Sequence, residues 1–157
     1  MVCYTLQREQ WFPRPIEEVF AFFADARNLE VITPSWLGFR ILTKDPIAMG
    51  AGARIEYQIR WHGIPMRWLT EIRSWDPPHG FLDEQLRGPY RLWEHTHTFQ
   101  SSNEGTLMRD VVNYSLPFGP LVGQLAQAWF VKGDLETIFD YRATKVSAHM
   151  KKACNHA

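Results

Sequence analysis

The C-terminal part of the chain carries the pattern that most restricts its fold. Directly after Pro117-Phe118-Gly119-Pro120, apolar residues recur at three- and four-residue steps from residue 121 to residue 151. This spacing predicts a long helix with one mainly apolar face. We assign to that face Leu121, Leu125, Trp129, Lys132, Leu135, Phe139, Arg142, Val146 and Met150. Such a long and one-sided helix needs a large apolar partner elsewhere in the chain.

A run of predicted strands before the helix supplies this partner. Between Pro34 and Pro117 apolar residues alternate with polar ones, and Gly, Pro, Asn and Asp interrupt the alternation. Short connections between successive strands indicate antiparallel pairing. The period-two pattern predicts strands at residues 38–43, 53–62, 66–75, 80–86, 90–100 and 105–116.

The N-terminal part adds one strand and two short helices. An imperfect alternation at residues 3–12 predicts the strand, and Pro13-Arg14-Pro15 ends it. Helical spacing predicts helices at residues 16–23 and 25–32. We therefore expect a single α+β domain over residues 1–157, in which the long C-terminal helix packs against an antiparallel sheet of about six or seven strands.

The composition restricts the partners of the chain. Its 17 Lys and Arg residues balance 17 Asp and Glu residues and are scattered, which argues against nucleic acid as a partner. No apolar run reaches the length of about 20 residues that spans a bilayer, and the N-terminus lacks a signal-peptide pattern, so we expect a cytoplasmic protein without a membrane span. Cys3 and Cys154 stand at opposite ends and are expected to be free thiols.

Several segments, together with the predicted order of elements, resemble a known family. Among them are Phe81-Leu82-Asp83-Glu84-Gln85, Gly88-Pro89-Tyr90 and Trp93-Glu94-His95-Thr96-His97-Thr98-Phe99. They resemble the START-related helix-grip superfamily, also called SRPBCC, in its polyketide cyclase/dehydrase-like bacterial branch. The resemblance implies a helix-grip fold, in which a curved sheet wraps around the long C-terminal helix and leaves an internal cavity for a small hydrophobic or amphipathic ligand. Members bind lipids, sterols, hormones or polyketides, with or without catalysis, so the resemblance selects no single function.

Alternation along a strand assigns each residue to one face of the sheet. On the strand with both histidines, one face carries Arg91, Trp93, His95, His97 and Phe99. It holds the bulky aromatic residues and is predicted to point inward. On the next strand the more apolar face carries Asp110. A buried carboxylate needs a partner, and the histidines lie at a similar depth. We therefore predict a buried Asp–His pair and take His95, His97 and Asp110 as candidate catalytic residues.

The same alternation provides candidate ligand-binding residues. Asp83 and Gln85 are placed inward because Phe81 belongs in the core and because the family resemblance runs through these positions. The outward face of the strand at 66–75 is predicted to place Arg67, Glu71 and Arg73 in solvent. A mostly apolar pocket with a few polar groups is the usual form of a small-molecule site. The candidate ligand-binding residues are Tyr57, Trp68, Thr70, Asp83, Gln85, Trp93, Phe99, Met108, Tyr114 and Trp129.

These assignments have alternatives. The two histidines could satisfy Asp110 in a packed core, act as acid and base on a bound carbonyl compound, or hold a metal with Asp110 as third ligand. The spacing alone does not predict a metal, and no cofactor is expected. The aromatic residues could fill the core instead of lining a cavity. Lys132 and Arg142 could reach the cavity mouth or form surface salt bridges.

Three functions are compatible with the sequence. The leading hypothesis is non-enzymatic binding of a small hydrophobic molecule, and the second is a cyclase or dehydratase with His95 or His97 as general base, oriented by Asp110. The third is an interaction module that docks a partner on the outer face of the sheet, for which a large exposed apolar patch would be the sign. The sequence leaves the ligand and the oligomeric state open.

Overall fold

A seven-stranded antiparallel sheet dominates the computed structural model, which describes residues 1–154. The strand order is β1-β7-β6-β5-β4-β3-β2, so that β2 to β7 form a meander and β1 pairs with β7. The sheet is open and curved, as predicted. The strands are β1 (Tyr4–Phe12), β2 (Arg40–Ile41), β3 (Arg54–Trp61), β4 (Ile64–Asp76), β5 (Gly80–Arg87), β6 (Leu92–Ser102) and β7 (Gly105–Ser115).

The predicted helices are present. The helices are α1 (Ile16–Ala24), α2 (Asn28–Ile32), α3 (Pro120–Ala126) and α4 (Lys132–Cys154), with a 3-10 turn at Ser35–Leu37 and a π-helical turn at Gln127–Val131 joining α3 to α4. Helix α1 begins after Pro15 and has Glu17 and Glu18 in its first turn, where the helix dipole favours acidic groups. Of the strand predicted at residues 38–43, only Arg40–Ile41 forms β2, and Gly38 in a left-handed conformation separates it from the preceding 3-10 turn.

One end of the space between α4 and the sheet is a packed apolar core. Phe20 of α1 lies edge-on to Trp75, Phe81 and Phe99, with ring-centroid distances of 5.3, 6.1 and 5.6 Å. Aromatic pairs in this arrangement stabilise a core beyond their buried area. Other buried members of this core are Phe12, Val19, Met108, Val146 and Met150. The C-terminal half of α4 is thereby fixed against the sheet.

The apolar face of the C-terminal helix differs from the prediction before residue 131. Leu135, Phe139, Val146 and Met150 are buried as expected, but Leu121 and Trp129 are 73% and 76% exposed. The π-helical turn accommodates one extra residue, which rotates the preceding positions by about 100° around the helix axis. As a result Gly123, Gln127 and Val131 face inward, and an exposed apolar group consists of Phe118, Leu121, Val122, Leu125, Trp129 and Phe130. Lys132 is exposed as well.

Charged pairs cover the outer face of the sheet around β4. Arg73 faces solvent as predicted, but Glu71 is only 8% exposed, which corrects its predicted position in solvent. Arg54 and Arg73 lie over its carboxylate, with nitrogen–oxygen distances of 2.7 and 2.5 Å. Arg73 also pairs with Glu84 on β5. This face therefore presents arginine–glutamate pairs where the interaction-module hypothesis requires an apolar surface.

Two further expectations concern the chain ends and membranes. Cys3 is an exposed free thiol. The side chain of Cys154 lies outside the described part of the chain, so its predicted free state stays a prediction. Within residues 1–154 no helix combines the length and the apolar character that crossing a bilayer requires.

Candidate functional site

A cavity of about 250 Å³ lies between the concave face of the sheet and the N-terminal half of α4. Most of its wall is apolar, with Ile55 and Ile59 from β3, Trp93 from β6, and Leu135 and Phe139 from α4. The region before β2 closes another side with Leu29, Ile32 and Leu37. The curved sheet and the helix therefore leave a space that the many aromatic residues do not fill.

Four polar residues from three neighbouring strands form a buried cluster at the cavity wall. This His/Asp cluster consists of Asp83 on β5, His95 and His97 on β6, and Asp110 on β7. The backbone register places Asp83 opposite His95 and His97 opposite Asp110. Because side chains alternate along a strand, both histidines point to the same concave face. Asp83, His95 and His97 line the cavity.

The hydrogen bonds of the cluster run diagonally between the strands. His95 Nε2 donates to Asp110 Oδ1 over 2.8 Å, and His97 Nε2 donates to Asp83 Oδ2 over 2.9 Å. His97 Nδ1 lies 3.0 Å from the same Asp110 oxygen, outside hydrogen-bonding angles. His95 Nδ1 is 3.9 Å from Asp83 Oδ2. The buried Asp–His pair predicted from sequence is thus present, and a second carboxylate joins it.

The environment separates the protonation states of the two histidines. Burial raises the pKa values of Asp83 and Asp110. Hydrogen bonds from the histidines and the nearby positive charges have a larger effect in the other direction, so both pKa values lie below their ordinary range. Burial and the neighbouring His97 charge lower the pKa of His95, against the effect of Asp110. For His97, the two aspartates outweigh burial and raise the pKa. Of the two histidines, His97 is therefore the one whose protonated form the cluster favours.

Arg142 of α4 adds a positive charge to the cavity wall, where a surface salt bridge was the favoured expectation. Its guanidinium carbon lies 4.8 Å from the centroid of the Phe139 ring, and the side chain lines the cavity. Its Nε is buried without a hydrogen-bond partner among residues 1–154, and so is Nε1 of Trp68. Buried donors normally have acceptors, so these two groups each lack one partner among the described residues.

The structure brings half of the predicted ligand-binding residues together. Those that line the cavity are Tyr57, Trp68, Thr70, Asp83 and Trp93. Tyr57 stacks on Trp68 with a ring-centroid distance of 5.6 Å, and Trp68 meets Trp93 edge-on at 5.1 Å. Those that lie outside the cavity wall are Gln85, Phe99, Met108, Tyr114 and Trp129.

The five residues outside the cavity wall have other positions. Phe99 and Met108 belong to the packed core at the far end of the sheet, and the hydroxyl of Tyr114 accepts a hydrogen bond of 2.6 Å from Gln127. The predicted inward position of Trp129 is wrong, because the π-helical turn rotates it into solvent.

Gln85 fixes a turn next to the cavity instead of lining it. Its amide donates to the Tyr90 carbonyl over 2.6 Å and accepts from the Tyr90 amide over 3.2 Å. A Cβ atom at Gly88 would lie 2.4 Å from the Gln85 Oε1, so this turn needs glycine at that position. Tyr90 lines the cavity, and Gln85 therefore positions a wall residue.

Solved structures with the same architecture come from several bacteria. Protein TTHA0849 from Thermus thermophilus has a TM-score of 0.70 at 22% identity, covering 93% of this chain and 99% of its own. A protein from Arthrobacter aurescens has a TM-score of 0.71 at 13% identity, with coverages of 94% and 86%. A START superfamily protein from Mycobacterium smegmatis has a TM-score of 0.64 at 12% identity, with coverages of 95% and 98%. At these identities the likeness establishes the fold alone.

Comparison at the level of sequence identifies the family. No curated protein shows significant sequence similarity to the chain. The model of the family described as polyketide cyclase / dehydrase and lipid transport matches residues 12–137, which is well over half of the chain. The helix-grip fold and the resemblance seen in the sequence are confirmed by these matches. The chain therefore belongs to the polyketide cyclase/dehydrase and lipid transport family.

Proposed function

We propose that this protein binds a small, mostly apolar molecule that carries an oxygen acceptor. The observation that carries the proposal is a mostly apolar cavity whose wall also holds two side chains with hydrogen-bond donors, Trp68 and Arg142. Burial of apolar surface contributes about 25 cal/mol per Å², so the aromatic wall supplies most of the affinity. The donors and the His/Asp cluster orient the polar end of the ligand.

Native mass spectrometry of freshly purified protein, followed by organic extraction, tests this proposal directly. We expect the protein to carry a bound hydrophobic molecule. Where it is recovered without one, we expect saturable binding of the fluorescent apolar probe N-phenyl-1-naphthylamine. A folded protein that carries no adduct and does not bind the probe would contradict the proposal.

Filling the cavity is expected to abolish binding without touching the His/Asp cluster. Ile138 of α4 lines the cavity and is half-buried, so Ile138→Trp places an indole in the space that the ligand needs. We expect the probe affinity to fall at least about tenfold, which corresponds to about 1.4 kcal/mol. The matched control is Ile64→Trp on β4, because Ile64 is exposed and lies outside the cavity wall. Equal affinities of both variants and wild type would contradict cavity binding.

Trp129 lies outside the cavity, so its substitution, unlike that of Ile138, is expected to leave probe binding unchanged. Because this side chain is exposed outside the cavity wall, Trp129→Ala is expected to leave the probe affinity within about twofold of wild type and the stability within about 0.5 kcal/mol. Fluorescence titration and urea unfolding measure the two quantities. A large loss of affinity would show that Trp129 reaches the ligand.

A second function, a cyclase or dehydratase, is supported by the tautomer of His95. Its Nε2 donates to Asp110, which leaves a lone pair on Nδ1 in a residue that lines the cavity. This nitrogen can accept a proton from a carbon next to a ligand carbonyl, with Asp110 holding the ring in place. A screen of polyketide-like carbonyl compounds would test this function. Turnover that survives alanine at both His95 and His97 would exclude these histidines as the general base.

A further inference from the structure

We propose that Asp83, His95 and His97 form a binding site for one divalent transition-metal ion at the cavity wall. One donor atom from each residue lies within 4.8 Å of the other two. Two imidazole nitrogens and one carboxylate oxygen suit zinc and iron(II), which leave their remaining coordination positions to water or a ligand. The inference goes beyond ligand binding and does not depend on which molecule occupies the cavity.

The sheet holds these three side chains on one rigid surface. His95 and His97 are two residues apart on β6, so both extend from its concave face, and Asp83 faces them from β5. Both strands are interior strands of the seven-stranded sheet, with neighbours on either side. Donors carried by paired strands are held more accurately than donors on loops.

Asp110 gives the two imidazoles the orientation that a metal site requires. It lies 2.8 Å from His95 Nε2 and 3.0 Å from His97 Nδ1, so each histidine turns one nitrogen toward this outer carboxylate. The other nitrogens, His95 Nδ1 and His97 Nε2, are those nearest to Asp83. Metal-binding histidines typically donate a hydrogen bond from their second nitrogen, which fixes the tautomer of the ligating ring. His95 makes this hydrogen bond to Asp110, whereas His97 Nδ1 only lies close to the same oxygen.

The donor spacing matches a metal after small movements. Bonds of about 2.1 Å at tetrahedral or octahedral angles place neighbouring donors about 3.0 to 3.4 Å apart. Asp83 Oδ2 lies 2.9 Å from His97 Nε2 and 3.9 Å from His95 Nδ1. A displacement of about half an ångström brings both Asp83 distances into range, and the two histidine donors, which lie within 4.8 Å of each other, close in by rotation of their rings. The ion takes the place of the proton between His97 and Asp83.

The charges of the site suit a dication that also meets the ligand. The carboxylates of Asp83 and Asp110 carry two negative charges, which offset the charge of the ion. Arg142 lines the same cavity and acts electrostatically on Asp83, so its positive charge partly opposes the ion while it attracts an anionic group of the ligand. Because Asp83, His95 and His97 all line the cavity, the open positions of the ion face the ligand as well. The ligands with the best complementarity carry a carboxylate, enolate or similar oxygen.

Titration of the tag-free, chelator-treated full chain with Co²⁺ tests this site. We expect one equivalent to produce visible d–d absorption bands with a dissociation constant on the order of 1 µM or tighter. Asp83→Asn and His97→Ala are each expected to weaken binding by at least about 100-fold, more than the loss of an outer partner causes. Asp110→Asn is expected to weaken binding about 10- to 100-fold while the bands remain, because Asp110 is a positioning residue.

His62→Ala is the matched control, because His62 forms a histidine–carboxylate pair with Asp134 at 2.8 Å on the surface. This variant is expected to bind Co²⁺ like the wild type. Circular dichroism verifies the fold of every variant, and the nearly isosteric Asp83→Asn keeps the test valid where His97→Ala fails to fold. A folded wild type without d–d bands, or an Asp83→Asn variant that binds as tightly as wild type, would overturn the proposal. Probe binding to metal-free protein tests the cavity separately.

Discussion

Asp110→Ala is expected to lower the free energy of unfolding by about 3–5 kcal/mol. Asp110 is buried and lies within 3.0 Å of both cluster histidines. Its removal leaves two buried histidines without their shared carboxylate, and His95 Nε2 without its hydrogen-bond acceptor. Asp110→Asn keeps an acceptor oxygen and is expected to cost less, about 1–3 kcal/mol.

Urea and thermal unfolding of chelator-treated protein measure this effect independently of any metal. For a domain of this size the loss corresponds to a decrease in Tm of roughly 6–20 °C. Glu9→Ala is the control, because Glu9 pairs with Arg109 on the exposed surface and such pairs contribute about 0–1 kcal/mol. An Asp110→Ala variant as stable as the Glu9→Ala variant would show that the cluster is not needed to hold the sheet together.

Strand periodicity predicted the inner faces of β6 and β7 because this signal does not depend on the partner strand. Trp93, His95, His97 and Asp110 are all buried, as alternation requires. The Asp–His pair followed from the cost of an unpaired buried charge. The sequence did not determine the diagonal pairing, since hydrogen bonds between His95 and Asp110 and between His97 and Asp83 depend on register and rotamers.

The C-terminal helix shows where a periodic pattern fails. Positions after the π-helical turn follow the predicted stripe, but Trp129 and the apolar residues before it point to solvent. Counting at 3.6 residues per turn assumes an uninterrupted helix, and a π-turn leaves no strong mark in the sequence. The available indication of the inward face before the π-helical turn was the small residue Gly123, which is buried, whereas Leu121 and Leu125 are exposed.

Two polar residues could not be assigned without coordinates. Gln85 shares a strand face with Asp83, yet its amide pairs with the backbone of Tyr90, five residues later, where the glycine at position 88 leaves room for it. Arg142 was expected in a surface salt bridge, which is the usual role of a cation on a helix. It packs on Phe139 at the cavity wall instead. The periodic pattern assigns each residue to one face of a strand or helix, but it does not determine where the polar end of a long side chain lies.

Arg142→Met is expected to reduce affinity selectively for apolar ligands that carry an anionic group. Hydrogen bonds to charged groups contribute about 1.5–3 kcal/mol, which corresponds to about 10- to 150-fold in the dissociation constant. The suitable probes are 8-anilino-1-naphthalenesulfonate and N-phenyl-1-naphthylamine, because they differ only in the sulfonate. The first is expected to lose this affinity, whereas the second is expected to change less than about threefold, since Met keeps the apolar stem.

The pair of probes separates charge recognition from packing. Arg142 also lies over the Phe139 ring, so its removal could disturb the cavity wall. A packing effect weakens both probes equally and would contradict the proposed role of Arg142, whereas a charge effect weakens the sulfonate alone. Arg142→Lys provides the rescue, because it restores the charge without the planar fork and is expected to recover part of the affinity for the sulfonate. A selective loss and a partial rescue together would place the anionic end of the ligand beside Arg142 and the His/Asp cluster.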